Sequence, residues 1–134
     1  MSKKVLVIDD DKDVTEAMRI ALEANDYEVS VASSGREGLE KVKTFEPDLV
    51  LLDIMMDTIT EGFHVSYTLK NGTNQEYKEF ANMPIIMISS IESKQGIHID
   101  KIVDADFIKA EYFLRKPINP DILIQKVKEV LHEN

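Results

Sequence analysis

The chain has 134 residues, of which 43% are hydrophobic, with 25 acidic side chains against 16 basic ones and no cysteine. That length suits one domain with a single core, and a net charge of −9 opposes general affinity for nucleic acid or an anionic membrane surface. Without cysteine there are no disulfides, thiolate metal sites or cysteine nucleophiles.

The opening MSKKVLVIDD has too few apolar residues for a signal peptide, and no later run approaches a membrane span, so a soluble cytoplasmic protein is expected. Val5 to Ile8 form a short apolar run closed by Asp9, Asp10 and Asp11. Behind it Val14, Ala17, Met18, Ala21 and Leu22 recur at helical spacing, with an aspartate available as cap. Tyr27 to Ala32 alternates, setting Glu28 and Ser30 against Val29 and Val31, the pattern of an edge strand. Ser34 and Glu37 have capping-box spacing ahead of a helix carrying Leu39, Val42 and Phe45. Leu49 to Leu52 reads as a strand buried on both faces and ending on Asp53. A helix is expected from near Gly62 or Phe63.

Ile85 to Ile88 is another buried run, ending at Ser89 and Ser90, and Tyr112 to Leu114 leads to Arg115, Lys116 and Pro117. The last helix takes Asn119 as cap and Pro120 in its first turn, with Leu123, Val127, Val130 and Leu131 as its apolar stripe. Residues 71–82 are polar enough for an exposed loop, and 92–111 have room for one helix or two. Strands alternating with helices imply an α/β fold, a doubly wound five-stranded parallel sheet with helices on both faces, in one domain over 1–134.

In such a sheet the carboxyl ends of all strands share one edge, where ligands bind. Asp9, Asp10, Asp53, Ser89 and Lys116 are expected there. Three close carboxylates raise one another's pKa unless a cation lies among them. Oxygen-only ligands with room for water and phosphate favour Mg²⁺ over Ca²⁺. Asp53, at the tip of a central strand, is placed as a nucleophile toward a phosphoryl group. The cation and Lys116 would neutralise charge on the transferring oxygens, and the Ser89 hydroxyl would donate to one of them.

This ordered set resembles the receiver domain of two-component response regulators over essentially the full chain. The resemblance implies the flavodoxin- or CheY-like strand order 2-1-3-4-5, with Asp53 as phosphoacceptor. It implies Mg²⁺ held by Asp9, Asp10, Asp53 and the backbone carbonyl of Met55. Ser89 and Phe113 match the family's switch positions, and Lys116 and Pro117 its Lys-Pro pair, for which a cis bond is expected. Phosphorylation would shift Ser89, Phe113 and the surface of the fourth helix and fifth strand. Met55 and Ile91 stand at the positions that roof the phosphoryl group.

The implied partners are a sensor histidine kinase or a histidine phosphotransfer protein, and a downstream protein. The chain is expected to be a stand-alone receiver without an output domain, a monomer or weak dimer. Its only catalysis would be its own phosphorylation and slow dephosphorylation. It departs from the family pattern in having Asp57 where a proline is common. The stretch from Asp53 to Gly62 is one residue longer than usual, and 71–82 and the region before Tyr112 are extended.

Several residues have plainer readings. Asp11 suits a helix cap better than a ligand, Asp57 and Glu61 suit solvated loop acids, and Ser90 suits packing. His64, His98 and His132 lack metal-ligand spacing, and Met55 and Met56 suit packing and loop structure. Two other classes compete with the receiver: a Mg²⁺-dependent phosphatase with an aspartate nucleophile, and a flavodoxin-like cofactor module. The first usually has a second aspartate where Met55 stands, and in the second DDDKD would repel a phosphate.

Overall fold

The structure, a computed structural model, describes residues 2–53, 64–65, 67–69, 76–90 and 112–132, and of Ser89, Ser90 and Tyr112 the backbone only. Its elements are β1 (Lys4–Ile8), α1 (Lys12–Glu23), β2 (Glu28–Ala32), α2 (Gly35–Phe45) and β3 (Leu49–Asp53), followed by a 3₁₀ turn over Lys78–Phe80, β4 (Ile85–Ser90), β5 (Tyr112–Lys116) and α3 (Pro120–Val130). The five strands are parallel in the order β2-β1-β3-β4-β5. Residues 64, 65 and 67–69 are helical; the start of that helix, like residues 71–75 and 92–111, lies outside the described residues.

Alternation along the strands divides the core between two faces. Leu6, Ile8, Val50, Leu52, Ile85 and Met87 meet Val42, Val65 and Leu69 on one side. On the other, Val5, Val7, Leu49, Leu51, Ile86 and Ile88 meet Met18 and Leu22 of α1 and Leu123, Val127 and Val130 of α3. The central strands β1 and β3 are buried along their apolar residues because helices cover both of their faces. β2 is an edge strand, with Glu28 exposed and its valines half-buried.

Three helix starts follow their sequence signals. Asp11 caps α1 by accepting from the Asp13 and Val14 amides, and Asn119 caps α3 by accepting from those of Asp121 and Ile122. Ser34 caps α2 by accepting from Glu37 N, but the return arm differs from a regular capping box. Glu37 Oε1 accepts from the Ser33 amide at 2.6 Å, one residue ahead of the cap. At the next turn Gly38 is required by a close approach: a Cβ there would lie 2.8 Å from Cγ1 of Ile8 and nearer still to Cδ1. That contact sets α2 directly on β1.

β4 and β5 each include the two polar residues that close their apolar runs, Ser89 pairing with Arg115 and Ser90 with Lys116 in parallel register. One expectation needs correction. The described part of 71–82 is not an exposed loop. Tyr77 and Phe80 are buried in the core with Met83, since the 3₁₀ turn brings residues three apart onto one side. Lys43 ties this segment to α2 through an ion pair with Glu76, its ammonium lying 5.2 Å over the Tyr77 ring.

Candidate functional site

The carboxyl edge of the sheet brings together residues from three strand ends. Asp9 follows β1, and Asp53 and Lys116 are the last residues of β3 and β5. Oxygens of Asp9, Asp10 and Asp53 lie within 4.8 Å of one another, Asp9 and Asp53 buried and Asp10 exposed. Lys116 Nζ lies 3.2 Å from Asp9 Oδ2 and 3.4 Å from Asp53 Oδ2, so one ammonium spans both buried carboxylates. The Lys116–Pro117 peptide is cis, as expected.

Burial and charge work against each other here. Asp9 is only 1% exposed, and its pKa is pushed up to about 6, first by burial and then by the neighbouring Asp53, against the opposing pull of the Asp11 amide and Lys116. The Lys116 pKa is raised: burial acts to lower it, and the attraction of Asp53 and Asp9 outweighs that. Lys116 therefore remains an ammonium. Asp9 Oδ1 accepts from the Asp11 amide at 2.9 Å. Asp9 Oδ2 is enclosed without a hydrogen-bond partner, its contact with Lys116 being an ion pair that lacks hydrogen-bond geometry.

An enclosed oxygen of this kind is costly unless another positive group completes its surroundings. Three carboxylates gathered around one ammonium put more negative than positive charge into this cluster when all are ionised, which suits a divalent cation. The donor set is oxygen only, as a hard cation requires. Asp9, Asp10 and Asp53 thus fit a cation held at the sheet edge.

The other expected site residues divide into two groups. Phe113 is described, half-buried and packed against the core on the α2 face, in register with Met87. The Ser89 backbone belongs to β4, on the edge carrying Asp53 and Lys116; its hydroxyl, with Met55, Asp57, Glu61, Ile91 and His98, lies outside the described residues. His64 and His132 are exposed. Asp11 is the helix cap expected of it, but its amide also holds Asp9, a second role the sequence reading missed. The signal was available, since aspartates two residues apart, Asp9, Asp11 and Asp13, permit successive side-chain-to-amide turns. Beside Lys116, an apolar groove of about 490 Å³ opens between α1 and α3, lined by Ala17, Met18, Ile118 and Leu123 among others.

Comparison with known proteins agrees with this geometry. The response regulator receiver domain family matches residues 5–128. The alkaline phosphatase synthesis transcriptional regulatory protein PhoP of Bacillus subtilis (strain 168) is 29% identical over 134 residues, covering 100% of this chain and 50% of that protein. The chain therefore spans about half the length of this curated relative.

A CheY-like receiver domain protein from Methanospirillum hungatei JF-1 superposes with a TM-score of 0.77 at 28% identity, over 98% of this chain and 95% of its own. The chemotaxis response regulator CheY4 of Vibrio cholerae does so with a TM-score of 0.78 at 27% identity, over 97% and 99%. The chain belongs to the response regulator receiver domain family of two-component signalling. The phosphatase and cofactor-module alternatives fall with that result.

Proposed function

We propose that Asp53 is the phosphoacceptor of this receiver domain, taking its phosphoryl group from a phosphohistidine on a sensor histidine kinase or a histidine phosphotransfer protein in the cytoplasm. The observation that carries the reading is the meeting of two enclosed carboxylates and one ammonium from three strand ends, with Asp53 at the tip of the central strand. A carboxylate oxygen of Asp53 forms the new O–P bond as the N–P bond to the donor imidazole breaks. The imidazole nitrogen leaves with the electron pair, and the product is an acyl phosphate.

Lys116 already faces Asp53 and offsets the charge that gathers on the phosphoryl oxygens. Asp9, Asp10 and Asp53, with the Met55 carbonyl, would hold Mg²⁺, which when bound supplies further positive charge at that place. The apolar groove between α1 and α3 gives a donor protein a surface next to Lys116.

Ser89 and Phe113 then report the phosphorylated state by a population shift. Phe113 has no hydroxyl, so packing alone carries its signal. The output passes by docking to a downstream protein or by transfer to a second histidine-bearing protein, and the chain performs no other catalysis. Acetyl phosphate with Mg²⁺ should add the mass of one phosphoryl group to the intact protein, and Asp53→Asn should remove that gain. Undiminished labelling of the variant ends the reading.

A further inference from the structure

We propose that Asp11 is a positioning residue for the cation site: by capping α1 it fixes the backbone amide that holds Asp9 Oδ1, keeping Asp9 Oδ2 turned toward Lys116 and the cation. This rests on the cation-dependent phosphoacceptor reading. Asp11 is exposed and lies outside the cluster of Asp9, Asp10 and Asp53, so it acts through its neighbour.

Two successive turns of the same kind make the connection. Asp11 Oδ1 accepts from the amides of Asp13 at 3.0 Å and Val14 at 3.3 Å, while the Asp11 amide donates to Asp9 Oδ1 at 2.9 Å. Asp11 has the extended backbone of a cap, φ −89° and ψ 109°, which directs its amide away from the helix and toward Asp9. On the other side the Asp9 amide is anchored to Ala32 O at 3.0 Å. Asp9 is therefore held at its backbone and at one carboxylate oxygen.

The remaining oxygen, Oδ2, is enclosed and without a hydrogen bond, and only its orientation presents it to a cation. Loss of the cap frays the first turn of α1, releases the Asp11 amide, and lets the Asp9 carboxylate rotate. Outer partners of metal ligands are typically worth 10- to 100-fold in metal affinity.

The test is the Mg²⁺ dissociation constant of the full chain by titration calorimetry, with the melting temperature in EDTA measured alongside. Asp11→Ala should weaken binding about tenfold. Asp11→Asn keeps the acceptor while losing the charge, and should stay within about twofold of wild type because Asn caps as well as Asp. Ser34→Ala removes the corresponding cap from α2 and should lower the melting temperature while leaving the dissociation constant unchanged. Wild-type affinity in Asp11→Ala overturns the proposal, as does equal weakening in Asp11→Asn, which would make the effect one of charge. If wild type itself does not bind Mg²⁺, or Asp53→Asn binds as tightly as wild type, the cation reading beneath it fails instead.

Discussion

Replacing Asp9 by Asn should stabilise the metal-free protein while removing its affinity for the cation. The Asp9 carboxyl is held at a pKa of about 6, against an ordinary value of 3.8. Between those two values the unfolded chain has released a proton that the folded chain still holds. Stability therefore falls as pH rises through this window, reaching its full loss above about pH 6. At about 1.4 kcal/mol per pKa unit, the loss is on the order of 3 kcal/mol. Asn resembles the protonated acid, with its amide oxygen available to the Asp11 amide, but its NH₂ takes the place of Oδ2 beside the Lys116 ammonium, so this energy is the upper limit of the variant's gain. In a chain of this length that energy corresponds to roughly 10 °C in melting temperature.

The assay is thermal unfolding in EDTA of wild type and Asp9→Asn from pH 4 to 7.5, with the difference between the two curves as the readout, since other carboxylates contribute to both. The variant's advantage should be near zero at pH 4 and should grow to its full value near pH 7. Saturating Mg²⁺ should reverse it, because binding to the native state stabilises wild type alone. A variant no more stable than wild type at pH 7, or a difference that does not change with pH, would refute the reasoning.

Gly38→Ala should destabilise by up to about 2 kcal/mol: overpacking against Ile8 costs roughly 1–3 kcal/mol, and about 1 kcal/mol returns from removing a helical glycine. Ile8→Val in the same chain should recover part of the loss, and a strictly additive double variant in a denaturant titration would contradict the contact. Asp10→Ala should weaken Mg²⁺ binding more than Asp11→Ala, since the first removes a ligand and the second only its support; calorimetric titration ranks them. The phosphoryl group on Asp53 should be long-lived, because Met55 and Ile91 cannot orient or deprotonate water, help that is worth ~100-fold or more in rate. Met55→Asn and Ile91→Glu should shorten the half-life of the isolated phosphoprotein, and rapid loss from wild type would refute the shielding argument.

The order of elements was legible in the residues because each signal is local. Four consecutive apolar residues before Asp53, alternation in Glu28 to Ala32, and Asp11, Ser34 and Asn119 ahead of apolar stripes all depend on neighbours within a few positions. The parallel topology followed from alternation of element type, and with it the expectation that Asp9, Asp53 and Lys116 share one edge. Their number and kind could be read in the same way. Strand ends were less legible, since Ser89, Ser90, Arg115 and Lys116 are polar and are held in strands by pairing with each other. Tyr77 and Phe80 looked like part of a polar loop because composition averages over a segment, whereas burial is decided residue by residue where the 3₁₀ turn meets the core.

At the site, only the tertiary structure shows that one ammonium reaches two carboxylates, that Asp9 is enclosed enough to hold its proton toward pH 6, and that the Asp11 amide fixes one Asp9 oxygen while the other lacks a hydrogen bond. Sequence names the groups that can ionise. Their protonation depends on distances of a few ångströms and on exclusion of water, and these exist only once residues more than 100 positions apart have been brought to one edge of the sheet.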